Sequence, residues 1–147
     1  MNTDEQTTAS LTGLRVIIVE DEVLLAMCIR ETIEDEGGIV AGTAQTVDQA
    51  ATLVSIAEFD VAILDLCLHG KPVGTIAAAI VGRGCAVIFS TGSNASDVPV
   101  EFQGWPVLCK PYMEKDIVAA LRAACFGRTR VLSGECELIS GSLTHAG

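Results

Sequence analysis

The chain has 147 residues, about the size of one domain. Half of its residues are hydrophobic and its mean hydropathy is +0.47, which excludes a largely disordered protein. Its purely apolar runs are far shorter than the roughly 18 residues needed to cross a bilayer, so no membrane association is expected.

The charge of the chain argues against nucleic-acid binding. Lys and Arg number 9 against 19 Asp and Glu, and the net charge of -10 would repel a phosphate backbone. The six cysteines include no Cys-x-x-Cys pair, and residues 1–12 lack the basic start and apolar run of a signal peptide. We therefore expect a cytoplasmic protein in which most cysteines pack as small apolar side chains.

Short apolar runs alternate with segments of helical period from Leu14 onward, a pattern typical of a parallel sheet with crossover helices. Most of the runs are rich in Val, Ile and Leu, as expected of strands covered on both faces. They span residues 15–20, 39–44, 61–66, 85–91 and 106–109.

The segments between these runs predict helices. The pair Gly37-Gly38 is a stop signal for the first helix, and Thr46 with Gln49 resembles a capping box at the start of the second. The first helix is expected to turn one apolar face inward, made of Leu25, Cys28, Ile29 and Ile33.

The later helices differ in how clearly the sequence predicts them. A third, Ala-rich helix is expected at about residues 74–81, whereas residues 94–103 contain Pro99 and predict a fourth helix that is short or irregular. The fifth is the best patterned and ends near Phe126. We expect a polar N-terminal tail at 1–13, one domain at 14–126, and a C-terminal tail at 127–147 too short to form an output domain.

Polar side chains stand where four of the five predicted strands end. In an open α/β sheet these ends meet at one edge, where ligands bind, so the side chains should converge. They are Glu20 and Asp21, Asp65, Thr91, and Lys110. Alternation along the strand turns only one of Ser90 and Thr91 toward the site, and we favour Thr91.

This set of side chains predicts a phosphoryl-transfer site. Three crowded carboxylates repel one another unless a cation lies among them, and a donor set made only of oxygen favours Mg²⁺. Lys110 and Thr91 could each reach a phosphoryl oxygen. Asp65 would then be the carboxylate nucleophile.

At these residues the sequence resembles the receiver domain of two-component response regulators, over about residues 14–126. Receivers have an acidic pair after the first strand, an aspartate after the third, Thr or Ser after the fourth and Lys-Pro after the fifth. This chain has, in that order, Glu20-Asp21, Asp65, Thr91 and Lys110-Pro111. The resemblance implies a flavodoxin-like, doubly wound five-stranded parallel sheet of order 2-1-3-4-5 with helices on both faces.

The resemblance also implies a function. Asp65 would accept a phosphoryl group from a phosphohistidine on a sensor histidine kinase or histidine phosphotransferase. Mg²⁺ would be held by Glu20, Asp21, Asp65 and the backbone carbonyl of Cys67. Such a domain is a signalling switch rather than an enzyme, although it takes part in its own phosphorylation and dephosphorylation, and it acts on a downstream protein or a second copy of itself.

Further residue roles come from the same resemblance. Thr91 and Lys110 would bind the phosphoryl group and act as switch residues, and the peptide bond before Pro111 is expected to be cis. The segment from Phe89 to Gly92 looks like the subgroup of often single-domain regulators with a Phe-Ala-Thr-Gly motif, with Ser90 in place of Ala. Candidates for tuning hydrolysis and switching are Cys67, Ser93 and Val107.

Two other interpretations stay open. One is a pseudo-receiver scaffold that binds partners without phosphorylation. The other is a Mg²⁺-dependent phosphatase that forms an aspartyl phosphate. That class usually needs a second acid two residues after its nucleophile, where this chain has Cys67, so it ranks last.

Overall fold

The computed structural model describes residues 10–126, so the expectations for 1–9 and for the tail at 127–147 lie outside the described residues. Within the described part, no helix is both long enough and apolar enough to span a membrane. Its elements in chain order are β1 (Arg15–Val19), α1 (Val23–Asp35), β2 (Ile39–Ala44), α2 (Val47–Ile56), β3 (Val61–Asp65), β4 (Cys67–Leu68), β5 (Lys71–Pro72), α3 (Gly74–Gly82), β6 (Ala86–Thr91), β7 (Val107–Cys109) and α4 (Glu114–Phe126).

Five parallel strands form the main sheet in the order β2-β1-β3-β6-β7. Counted along these five strands alone, the order is 2-1-3-4-5, so the predicted doubly wound sheet is confirmed. The two remaining strands, β4 and β5, pair antiparallel in a small hairpin outside the sheet. The sequence did not predict this hairpin, because two-residue strands are too short to show a periodic pattern.

Alternate residues of the central strands pack on opposite faces of the sheet. Ile17 and Val19 of β1 face the side covered by α2 and α3, whereas Val16 and Ile18 face the side covered by α1 and α4. Burial on both faces explains why these strands read as continuous apolar runs. Because the strands are parallel, their polar carboxyl ends lie at one edge of the sheet.

The predicted end of α1 and the predicted cap of α2 lie where the sequence indicates. Gly37 has a φ of 91°, and the amide of Gly38 donates to the carbonyl of Ile33 at 2.8 Å, which ends α1. Thr46 caps α2 by accepting from the amide of Gln49 at 3.1 Å. The Gln49 side chain accepts from the amide of residue 45 at 2.8 Å, so the capping box is shifted by one residue.

The predicted fourth helix is replaced by two 3₁₀ turns, Ala95–Asp97 and Val100–Phe102. Pro99 lies between them and interrupts any longer helix. Phe102 packs on Phe89 of β6, with ring centroids 5.7 Å apart. This segment is therefore irregular, as predicted, yet it is anchored to the core.

The domain begins earlier than the sequence suggested. Leu11 is fully buried in the core beside α1, and its amide donates to the carbonyl of Glu36 at 3.1 Å. Residues 10–13 of the expected tail therefore contact the folded domain. A single leucine among polar residues gives no periodic signal, which is why the boundary at 14 was late.

The cysteines only partly follow the packing expectation. Cys28 is exposed, not on the inner face of α1, whose buried residues are Ile29, Thr32 and Ile33. Cys28, Cys67, Cys85 and Cys125 are free thiols.

Candidate functional site

The ends of β1 and β3 bring three carboxylates together. Glu20 and Asp21 follow β1, Asp65 is the last residue of β3, and one oxygen from each lies within 4.8 Å of the others. Glu20 and Asp65 are only 1% and 5% exposed. The predicted acidic cluster is therefore present at the predicted sheet edge.

Lys110 is the positive charge of this cluster. It follows β7, and its amide donates to the carbonyl of Thr91 at 2.8 Å, which ties the start of its loop to β6. Its ammonium Nζ lies 3.3 Å from Glu20 Oε2 and 3.3 Å from Asp65 Oδ2. Among the described residues, the Lys110 ammonium thus lies beside the two buried carboxylates of the cluster.

The two oxygens of Glu20 have different surroundings. Oε2 accepts from the amide of Glu22 at 3.0 Å and from Lys110. Oε1 is buried and has no hydrogen-bond partner among the described residues. An unpaired buried carboxylate oxygen is costly unless a cation or donor meets it. The all-oxygen donor set and this orphaned oxygen both fit a hard divalent cation.

Burial dominates the protonation behaviour of Glu20 and raises its pKa to about 7. This pKa of about 7 already includes a raising effect of the nearby Asp65 charge and lowering effects of the Glu22 amide and Lys110. For Lys110, burial lowers the pKa, but the carboxylates of Glu20 and Asp65 outweigh burial and the pKa is raised. Lys110 therefore stays charged at neutral pH.

Backbone amides of the hairpin formed by β4 and β5 donate hydrogen bonds to two of the acids. The amide of His69 donates to Asp21 Oδ2 at 2.8 Å, and the amide of Cys67 donates to Asp65 Oδ1 at 3.3 Å. For Asp21, burial raises the pKa, but the His69 amide and other partners outweigh it and the pKa is lowered. The turn of the hairpin has positive φ at His69 and Gly70, 49° and 79°.

Two neighbouring hydroxyls on β6 have different partners. Thr91 is buried, and its Oγ1 accepts from the amide of Ser93 at 3.0 Å. Ser90 is fully buried, and its Oγ lies 3.2 Å from the hydroxyl of Tyr112. Thr91 is thus held by a backbone amide, and Ser90 by a side chain of the loop after β7.

The other predicted site positions lie around this edge. The peptide bond between Lys110 and Pro111 is cis, as the resemblance implies. Val107 is buried in β7 and pairs with Phe89 of β6, while Ser93 and the side chain of Cys67 are exposed. The roles assigned to these residues stay predictions.

Three contacts of the site escaped the sequence analysis. Glu22 Oε2 lies 3.9 Å from Lys110 Nζ, and its place directly after the acidic pair was an available signal. No signal in the sequence indicated the site contact of Tyr112, which packs against the core and whose hydroxyl lies 3.2 Å from Ser90 Oγ. The amide of His69 could not be found from sequence, because any residue except proline carries one.

A parallel five-stranded sheet with acids after its first and third strands and a lysine after its last defines a receiver. The family model for the response regulator receiver domain matches residues 16–122, and the chain belongs to this family. In the set of solved structures, the chain is similar to SdrG from Sphingomonas melonis Fr1, with 35% identity, a TM-score of 0.65, and coverage of 76% of this chain and 94% of that one.

Two further relatives extend the comparison. The receiver domain of the PhyR response regulator from Erythrobacter litoralis is 26% identical with a TM-score of 0.66, covering 77% of this chain and 90% of that one. The uncharacterized transcriptional regulatory protein YbdJ from Bacillus subtilis is 28% identical over 116 residues, or 75% of this chain. The match covers 50% of YbdJ, so this chain spans about half the length of that relative.

Proposed function

We propose that this receiver is a Mg²⁺-dependent phosphoacceptor, in which Asp65 takes a phosphoryl group from a phosphohistidine on a sensor kinase or phosphotransferase. The observation that carries the proposal is the meeting of three carboxylates within 4.8 Å beside the ammonium of Lys110. Membership of the receiver family supports it. In this proposal the protein is a cytoplasmic switch rather than an enzyme.

The proposed transfer is a displacement at phosphorus. A carboxylate oxygen of Asp65 forms the new P–O bond as the P–N bond to the donor imidazole breaks, and the electron pair of that bond returns to the imidazole nitrogen. Lys110, already 3.3 Å from Asp65 Oδ2, neutralises charge on the phosphoryl oxygens. Thr91 would donate a hydrogen bond from its hydroxyl to another of these oxygens.

The metal site of this proposal is built from oxygen atoms. Glu20, Asp21, Asp65 and the carbonyl of Cys67 would hold Mg²⁺, which when bound supplies positive charge between the acids and the incoming phosphoryl group. The buried Glu20 Oε1 without a partner supports a cation at this place. A protonated Glu20 is the alternative state of the same site, because its pKa is about 7.

The surroundings of the acidic cluster suit a protein phosphodonor. Exposed apolar side chains lie on the first turns of α1, directly after the acidic pair, and Leu24 among them is 77% exposed. Met113, after the Lys110 loop, is also exposed. Apolar side chains that rim an acidic site favour docking of a partner protein.

The experiment is labelling with a small phosphodonor in the presence of Mg²⁺. Wild type and Asp35→Asn, a matched exposed aspartate at the end of α1, should both be labelled. Asp65→Asn should not be labelled, since it lacks the nucleophilic oxygen. Equal labelling of Asp65→Asn would contradict the proposal, and a wild type that binds Mg²⁺ but takes no label would favour the pseudo-receiver scaffold.

A further inference from the structure

The hydroxyl of Ser90 lies next to the acceptor strand end. Ser90 is fully buried in β6, and its register partner in the neighbouring strand β3 is Asp65. Register partners in a parallel pair project from the same face of the sheet. The Ser90 side chain is therefore on the face of the sheet from which Asp65 projects, whereas Thr91 starts on the other face. Strand alternation thus favours Ser90 and not, as the sequence suggested, Thr91, and the role of Thr91 at the phosphoryl group rests on the family resemblance.

Tyr112 reaches this place from the loop after β7. It stands two residues beyond Lys110, and its ring packs against the core cluster between the sheet and helices α1 and α4. Its hydroxyl lies 3.2 Å from Ser90 Oγ. The side-chain hydrogen bond thus joins the strand beside the acceptor to the loop that carries the ammonium.

The backbone of the loop after β7 is hydrogen-bonded to the sheet at its first residue. Its first residue, Lys110, is held by an amide hydrogen bond to the carbonyl of Thr91. The next residue, Pro111, has no amide hydrogen. Met113 donates its amide to Asp116 Oδ2 at 2.9 Å and so belongs to the start of α4. Within residues 10–126, the Tyr112 hydroxyl therefore adds a side-chain hydrogen bond that joins this loop to the sheet after Lys110, beside the packing of its ring.

We propose that the hydrogen bond between Ser90 and Tyr112 positions the loop so that Lys110 stays beside the acceptor carboxylate during phosphoryl transfer. The inference rests on the proposed phosphoacceptor function. Burial raises the pKa of Tyr112 to about 12, so the phenol keeps its proton at neutral pH and the bond persists. Ser90 and Tyr112 are positioning residues, since they act through Lys110.

The test is a double-mutant cycle on the rate of labelling by a small phosphodonor at saturating Mg²⁺. Tyr112→Phe keeps the ring and Ser90→Ala keeps most of the packing, while each removes one hydroxyl. A neutral hydrogen bond corresponds to about threefold to tenfold in an equilibrium, so each single variant should label slower by that factor. The double variant should be no slower than the slower single variant, because both remove the same bond.

A matched control is Thr32→Val, which removes another buried hydroxyl while keeping the shape of the side chain. Thr32 Oγ1 donates to the carbonyl of Cys28 within α1, away from the site. This variant should lose stability but keep the wild-type rate. Wild-type rates in Tyr112→Phe and Ser90→Ala, or effects that multiply in the double variant, would overturn the inference.

A second measurement separates this inference from the proposed function. The ε-methylene NMR signals of Lys110 report its surroundings without phosphorylation. They should shift in Tyr112→Phe and Ser90→Ala and stay in place in Thr32→Val. If wild type takes no label, the phosphoacceptor function fails and the NMR result alone decides: shifted signals support the positioning role, and unchanged signals refute it.

Discussion

At the scale of single residues, the burial of Glu20 determines how this site responds to pH. Its folded-state pKa is about 7, against an ordinary value of 4.5. The folded state therefore binds this proton more tightly than the unfolded chain does. The stabilisation is fully present below about pH 4.5 and is lost as pH rises through 7.

We predict that metal-free wild type loses stability between pH 5 and pH 8 relative to Glu20→Gln, which is neutral throughout. Over this pH range, the free energy of unfolding of wild type relative to that of Glu20→Gln should fall by about 3 kcal/mol at most, since one pKa unit corresponds to about 1.4 kcal/mol. Urea unfolding in the presence of a chelator at several pH values measures it. A difference that stays constant with pH would show that Glu20 is ionised in the folded state throughout.

Lys110 gives a second prediction for a single residue. Lys110→Met keeps an apolar stem but removes the ammonium that lies 3.3 Å from both Glu20 and Asp65. Labelling by a small phosphodonor should slow by roughly 100-fold or more, because a preorganised charge at the reacting group is lost. Lys115→Met, an exposed lysine of α4, is the matched control and should label normally. Equal rates in the two variants would remove Lys110 from the transfer step.

Sequence reasoning found the acids and the lysine of this site because strand ends in a parallel sheet share one edge. Glu20, Asp21, Asp65 and Lys110 could be placed without knowing any loop. The bond between Ser90 and Tyr112 could not, since it depends on the path of the loop after β7. Contacts that depend on loop conformation are not encoded by periodicity.

At the scale of elements, the strands agree with their apolar runs to within one residue at each end. Burial on both faces requires such runs in β1, β3, β6 and β7, whereas the edge strand β2 is mostly part-exposed. The inner face of helix α1 was harder to predict from the sequence. The buried face of α1 includes Thr32, whereas Cys28 is exposed. The sequence placed Cys28 on this face because a cysteine counts as apolar in a helical pattern whether or not it is buried. The hairpin of β4 and β5 was missed, although it holds Asp21 through the amide of His69.

That hairpin gives a prediction about its turn. His69 has a φ of 49°, which glycine adopts easily and proline cannot adopt. His69→Gly keeps the amide donor and should change the free energy of unfolding by less than about 1 kcal/mol. His69→Pro loses the bond to the Asp21 carboxylate and should cost at least about 2 kcal/mol.

Chemical denaturation of the two variants beside wild type measures this difference. The histidine side chain is absent from both, so the comparison isolates the backbone. Equal stability of His69→Gly and His69→Pro would mean that the hairpin amide contributes nothing to holding Asp21.

At the scale of the whole molecule, the net charge of -10 and the acidic cluster at one edge of the sheet favour the binding of a cation there. A ligand that binds only the folded state stabilises it, by about 2.7 kcal/mol at 100 times its Kd. We predict that Mg²⁺ raises the Tm of wild type and of Asp35→Asn. Asp21→Asn should lose most of this rise, since it removes one of the three carboxylates. Thermal unfolding with and without Mg²⁺ measures it, and an undiminished rise in Asp21→Asn would place the metal elsewhere.

The central claim is that the Asp65 carboxylate receives the phosphoryl group, and chemical mapping of the modified residue tests it most directly. Borohydride reduces an aspartyl phosphate to homoserine, which peptide mass spectrometry can locate in the chain. After incubation with Mg²⁺ and a small phosphodonor, we predict homoserine at position 65, and none in samples from which Mg²⁺ is omitted. Homoserine at another aspartate, or none anywhere in protein that binds Mg²⁺, would contradict the claim.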